Sequence, residues 1–169
     1  MLGKRSAWRR QSHRAQGLRA SGGPNHAPGR DSDPGLTIKK GGSGSGETDE
    51  TKYQMWLASP GELTLKGAAT FTFWSAMKDF AEHKAASVRV FLLDCTPTGT
   101  GCVTVATGSS SSGPWSATGE WVSRNVSFGN VTRSLAADRS LAIKVIVDDA
   151  SDDDMWFAYD AAAYPSRLT

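Results

Sequence analysis

Ser140-Leu-Ala-Ile-Lys-Val-Ile-Val147, followed shortly by Met155-Trp-Phe-Ala-Tyr159, decides how this chain is read. In the first run Leu141, Ile143, Val145 and Val147 recur at every second position, the period at which side chains share one face of a β-strand. The second run is dense in aromatic residues, which favour a pleated, half-buried surface. Between them lies an acidic turn, Asp148-Asp-Ala-Ser-Asp-Asp-Asp154.

The same period extends upstream. Ala69-Thr-Phe71-Thr-Phe73-Trp74 puts Phe71 and Phe73 on one face and Thr70 and Thr72 on the other. Trp121 to Phe128 puts Val122, Arg124, Val126 and Phe128 on one face, with Trp121, Ser123, Asn125 and Ser127 opposite. Val88 to Leu93 is long enough for a central strand. Tyr53–Leu57, Leu63–Leu65 and Val103–Val105 read as shorter ones. Eight or nine short strands, with turn signals every ~8–15 residues, mark an antiparallel sandwich or barrel. The expectation is an all-β, antiparallel, jelly-roll-like β-sandwich whose two sheets meet around Phe71, Val90, Ile143 and Phe157. Strand–helix alternation is absent, which argues against a parallel sheet. One segment, Ser75–Ala86, has Ala76, Phe80 and His83 near helical spacing and is read as a short helical piece.

Composition divides the chain. Residues 1–40 carry nine Lys/Arg against two Asp, whereas residues 41–169 carry ten Lys/Arg against fifteen Asp/Glu. Positions 1–35 show neither helical nor strand period, and so polar a segment cannot bury enough surface to offset its chain entropy. Residues 1–47 are therefore read as a disordered basic tail ending in a Gly/Ser linker (Lys39–Gly46), and 48–169 as the sandwich domain. Residues 1–30 have the charge of a signal-peptide n-region without an apolar h-region. A solvated tail and translation from a misplaced start both account for them. A nucleic-acid arm would interleave aromatic residues, and this stretch does not. No run reaches the ~18 apolar residues of a membrane-spanning helix.

Several stretches carry a resemblance. They are Asp31-Ser-Asp-Pro-Gly-Leu-Thr-Ile-Lys-Lys-Gly-Gly-Ser-Gly, Lys52-Tyr-Gln-Met-Trp, Phe73-Trp-Ser-Ala-Met-Lys-Asp-Phe80, Asp152-Asp-Asp-Met-Trp-Phe-Ala-Tyr-Asp160 and Tyr164-Pro-Ser-Arg167. With these, Asp31–Thr169 resembles secreted or surface β-sandwich proteins of actinobacteria and other GC-rich bacteria. More loosely, the last strand is similar to those of galactose-binding-like and carbohydrate-binding jelly rolls. That second likeness implies a structural Ca2+ near an Asp ending the aromatic strand, here Asp160. A secreted or cell-surface location follows from the first.

Three constellations bear on chemistry. The acidic turn is tolerated if solvated or if a cation sits in it, and calcium takes six to eight oxygens from loop carboxylates and carbonyls. Asp160 and Asp154, with Glu47 and Asp49 from the linker side, are the expected ligands. Cys95 and Cys102 bracket Thr96–Gly101 at a hairpin, where Cα atoms come within the ~4–7 Å that a disulfide needs. That bond would contribute ~2–3 kcal/mol and suits an oxidising compartment. Trp115 and Trp121 flank a polar loop and are the candidate ligand-stacking residues, while Trp56, Trp74 and Trp156 lie in strands as core candidates.

Catalytic signals are thin. No Gly-x-Ser-x-Gly elbow, His-Glu-x-x-His or phosphate loop occurs. A glycosidase pair would have to come from carboxylates such as Asp94, Glu120 and Asp160, which no motif specifies. The sequence thus points to a module that is not an enzyme, structural or adhesive at the cell surface. A polysaccharide-binding module is the alternative and a glycoside-active hydrolase the third reading. A circular-dichroism spectrum dominated by strand is expected; one dominated by helix would end this reading.

Overall fold

In the computed structural model the chain is described at residues 8–11, 35–38, 50–51, 53–77, 86–112, 121–148, 155–158 and 164–169. Eleven strands lie within these residues: β1 (Trp8–Gln11), β2 (Gly35–Ile38), β3 (Glu50–Thr51), β4 (Gln54–Ala58), β5 (Leu63–Met77), β6 (Ala86–Cys95), β7 (Val103–Ser112), β8 (Val122–Leu135), β9 (Ser140–Val147), β10 (Met155–Ala158) and β11 (Arg167–Leu168). They form two sheets, and the fold is the all-β sandwich that the alternation implies. The first sheet runs β1-β4-β9-β6-β7. The second is built on β5. The strand β8 lines one edge of β5 from Leu63 to Ser75, while β10 and β11 share the other edge opposite Trp74–Met77 and Phe71–Thr72. Beyond β10 come β2 and then β3, the β2–β3 pair being parallel and the other pairs antiparallel.

The core is where the period-two reading places it. Phe71, Val90, Ile143 and Phe157 are all buried. Ring contacts cross the sandwich: Trp56 of the first sheet stacks on Phe157 of the second at 4.8 Å between centroids. Phe157 stacks on Phe73 at 4.9 Å, and Phe73 lies 5.4 Å from Phe71. Removing a large apolar side chain from water is worth ~1.5–3 kcal/mol, and offset-stacked ring pairs add ~0.5–1.5 kcal/mol each.

Three elements differ from the sequence reading. Leu63–Leu65 and Ala69–Trp74 are not two strands but one, continuous from Leu63 to Met77 and matched by a β8 that runs on to Leu135. The ladder tolerates this length through a bulge between Ala69 and Thr70. Opposite it stands Gly129 at φ 68°, a left-handed conformation that only glycine adopts without strain. The helical piece expected at 75–86 is replaced, where described, by strand. Ser75–Met77 continue β5 and Ala86 opens β6, because pairing with β10 and β7 satisfies their backbone groups; positions 78–85 lie outside the described residues. The sheets also take in two strands upstream of residue 48. One is β2, whose Ile38 is buried in the core; the other is β1, paired with β4. The remainder of 1–47 lies outside the described residues.

The edge strands β7 and β8 meet where Gly108 passes Val126 and Ser127. A Cβ at Gly108 would stand 2.5 Å from both the Ser127 carbonyl oxygen and Val126 Cγ1. The sheets come together there because position 108 has no side chain. Strand direction sorts the connections. Residues 59–62, 96–102 and 136–139 join strands at one end of the sandwich, and β5, β7 and β9 end at the other. No helix of the described residues is long and apolar enough to cross a membrane.

Two substitutions test this architecture by urea unfolding. Phe157→Ala should cost ~3–5 kcal/mol by opening a cavity in the ring stack. Gly108→Val should cost at least ~1–3 kcal/mol, since the backbone oxygen of Ser127 cannot move aside; a neutral result would mean that the two edges do not meet.

Candidate functional site

The strand β6 alternates Val88, Val90, Leu92 and Asp94 toward the second sheet, so its inward face ends in a carboxylate. Asp94 is 2% exposed. Such a charge is tolerated only when fully paired, and two arginines provide this. Arg133, on the inward face of β8 between Val131 and Leu135, donates to Oδ2 from Nε at 3.0 Å and from Nη2 at 2.6 Å. Arg139, in the β8–β9 turn, donates to Oδ1 from Nε at 2.6 Å. Burial pushes the Asp94 carboxyl up, but the hydrogen bonds and charges of both guanidiniums outweigh it, and its pKa lies below the ordinary carboxylate value.

Arg139 also gathers this end of the sandwich. Its Nη2 donates to the carbonyl oxygens of Asp94 at 2.8 Å and Gly101 at 3.0 Å. Its backbone N–H donates to Ala136 O, and its carbonyl accepts from Gly61 N–H. The adjoining hairpin is closed by the expected disulfide, Cys95–Cys102, with Cα atoms 4.1 Å apart. Inside it the hydroxyls of Thr96, Thr98 and Thr100 stand 2.9–3.1 Å from one another.

The opposite end has different chemistry. Arg124, on the inward face of β8 with Val126 and Phe128, is 4% exposed and donates from Nε to Ser75 Oγ at 2.7 Å. Burial lowers its pKa to about 10. On the outer face of the second sheet, Trp74, Trp121, Trp156 and Tyr164 gather with Ala76 and Ala158. Tyr164 lies 5.3 Å from Trp74 and 5.6 Å from Trp121, ring to ring. Trp121 Nε1 is buried without a hydrogen-bond partner, as are both amide atoms of Gln54 on β4.

The sequence candidates fall unevenly onto this frame. Trp121 is 7% exposed and belongs to the packed aromatic cluster, so it offers no open stacking face. Trp115, Asp160, Asp154, Asp49 and Glu47 lie outside the described residues. From the acidic turn, Asp148 already has a cation: its Oδ1 lies 2.9 Å from Arg89 Nη2. No three of His, Cys, Asp and Glu come together to hold a metal among the described residues. Asp94, open to a glycosidase role on sequence, has both oxygens taken by arginines. Arg133, Arg139 and the Ser75–Arg124 pair were not singled out by sequence reasoning. The available signal was positional, since Arg124 shares an alternating face with Val126 and Phe128, and Asp94 shares one with Val90 and Leu92.

What the geometry defines is a disulfide-stapled β-sandwich domain, polar at both ends of its core. No family model matches the chain, and no curated protein matches it. Solved structures do. An aminopeptidase from a marine sediment Thaumarchaeota archaeon superposes with a TM-score of 0.57 at 10% identity, over 70% of this chain and 25% of its own. A CocE/NonD family hydrolase from Staphylococcus aureus superposes with a TM-score of 0.56 at 12% identity, over 79% of this chain and 32% of its own. At this identity the superpositions establish a shared fold alone. The chain spans about a quarter to a third of the length of these two proteins. The comparison corrects the functional expectation. The sequence reading favoured an adhesive or structural module that is not an enzyme, with a hydrolase only as its third reading, yet both of these structural relatives are hydrolases.

Asp94 has a pH signature. Its pKa is depressed on folding, so its contribution is present above the unfolded value near ~3.9 and is lost as pH falls through the folded value. Asp94→Asn should cost ~1–3 kcal/mol at neutral pH by removing the charge on which the hydrogen bonds of two partly exposed guanidiniums converge. It should also flatten the fall in melting temperature below about pH 4. A variant with the wild-type acid profile would show that another carboxylate controls acid unfolding.

Proposed function

We propose that this chain forms the β-sandwich part of a secreted hydrolase, with the Arg124 and tryptophan end turned toward the part that carries out hydrolysis. The observation that carries the reading is the asymmetry of coverage. Most of this chain matches two hydrolases, yet the match takes up a minor share of each of them. A sandwich that recurs as one portion of longer hydrolases is read as the same portion here.

Geometry supports the choice of end. Arg139, the disulfide and the threonine hydroxyls lock the Asp94 end internally. The strands β5, β7 and β9 run out at the other end, where the half-buried rings of Trp74 and Tyr164 lie. Loops carried at one end of a rigid sandwich are where such folds place binding surfaces. Ser75 is not poised as a nucleophile, because its hydroxyl oxygen accepts from a guanidinium, which cannot act as a base. The nucleophile and base are therefore assigned to the remainder of the enzyme. Secretion is supported by the pairing of both cysteines of the chain, a bond that persists in oxidising compartments.

The test is to isolate the native protein under non-denaturing conditions and assay it on aminoacyl-anilide and acyl-ester substrates. Amidase or esterase activity should travel with the chain in an assembly larger than its 18.0 kDa. Trp74→Ala should reduce that activity severalfold while the amount of folded chain is unchanged. A chain that runs at its own mass and hydrolyses neither class of substrate would overturn the proposal.

A further inference from the structure

We infer that the Cys95–Cys102 disulfide is the closed position of a redox latch, which holds three loops in one rigid end through Arg139 and opens that end without unfolding the sandwich. The inference is independent of the hydrolase reading and rests on how the loops are tied. Three connections meet at this end: residues 59–62, 96–102 and 136–139. Arg139 belongs to the third and is bonded to the other two. The first donates Gly61 N–H to the Arg139 carbonyl oxygen, and the second offers the Gly101 carbonyl to Nη2. The third accepts the Arg139 N–H at Ala136 O. Gly101 stands next to Cys102, so the disulfide fixes the carbonyl that Arg139 reaches.

The two sulfurs are unequally placed. Cys95 is fully buried, within a cluster on the outer face of the first sheet that includes Met55, Leu57, Leu93 and Ala142. Cys102 is exposed. A thiolate can therefore attack the Cys102 sulfur. A mixed disulfide forms there, the Cys95–Cys102 bond breaks, and Cys95 leaves as a thiolate that takes up a proton. A second equivalent of thiol resolves the mixed disulfide. The sum is one protein disulfide and two thiols giving two protein thiols and one small-molecule disulfide.

Opening is expected to stay local, because the bonds that hold the sandwich do not pass through the disulfide. The ladder between β6 and β7 continues to Asp94 opposite Val103. Asp94 keeps Arg133 on its Oδ2. The ring stack and the large core cluster contain neither cysteine. What is lost is the constraint on Gly101, and with it the tie that joins the 96–102 loop to the other two.

Hydrogen exchange of the full chain, oxidised and after reduction with dithiothreitol, tests the latch. The amides of Gly61, Thr96, Gly99 and Arg139 all donate to backbone carbonyls at this end. All four should exchange at least tenfold faster after reduction, while those of Phe73, Leu92 and Ile143 are unchanged. Cys102→Ser, which cannot close, should reproduce the reduced pattern without reductant. If only Thr96 and Gly99 speed up, the disulfide constrains its own hairpin alone and the coupling through Arg139 is refuted. If reduction, or Cys102→Ser, exposes the core amides or prevents folding, the bond is a structural staple and the latch is refuted as well.

Discussion

The fold depends on burying one row of rings between two sheets. Trp56 comes from the first sheet; Phe157, Phe73 and Phe71 come from the second, and their contacts are continuous. No single sheet can hide these side chains. Each offers an apolar face that water disfavours, and only a second sheet about 10 Å away covers it. Every other feature is an accommodation to that packing. The bulge at Gly129 lets the long β5–β8 ribbon bend. Gly108 lets the edge strands close over the side, and Ile38 is brought in from a strand far upstream in sequence.

A core built by alternation has to end somewhere, and here two inward rows carry charged residues near their ends. On β6 the row Val88, Val90, Leu92 terminates in Asp94; on β8 Arg124 and Arg133 each lie one place in from Val122 and Leu135, which close that row. A buried charge is tolerable only with a partner. Asp94 has two, so that end is electrostatically saturated and held further by Arg139 and the disulfide. Arg124 donates from Nε to the Ser75 hydroxyl, and burial draws its pKa down to about 10. The two ends therefore differ in what finishes them: charge pairs and a disulfide tie the one, and an aromatic cluster covers the other.

That 10–12% identity suffices to superpose this chain on two hydrolases follows from the same physics. The sandwich requires apolar residues at every second position and turns of suitable length. It does not require particular residues. Volume-conserving apolar exchange costs little, so sequences can diverge while the sheets persist. The functional correction arose from this as well. A reading based on catalytic motifs looks for a nucleophile and a base within the chain. The likeness to these two hydrolases lies instead in a shared sandwich fold that makes up a minor part of each.

The strand period was legible in the residues themselves. Alternation in Ser140–Val147, Val122–Phe128 and Ala69–Phe73 identified the faces, and the four residues expected to be buried are buried. The Cys95–Cys102 bond was legible too, because so short a separation across a hairpin leaves its geometry little choice. What the residues could not reveal is which strands are neighbours. Alternation is a local property, while the union of Leu63–Met77 into one strand, the entry of Trp8–Gln11 and Gly35–Ile38 into the sheets, and the replacement of helix by strand at Ser75–Met77 depend on partners distant in sequence. The Asp94–Arg133–Arg139 cluster belongs to the same class. Alternation could mark Asp94 as inward-facing, but not name its partners. Only the stacking of β6 over β8, with the turn that follows β8, brings both arginines onto the buried carboxylate, which would be too costly to keep unpaired.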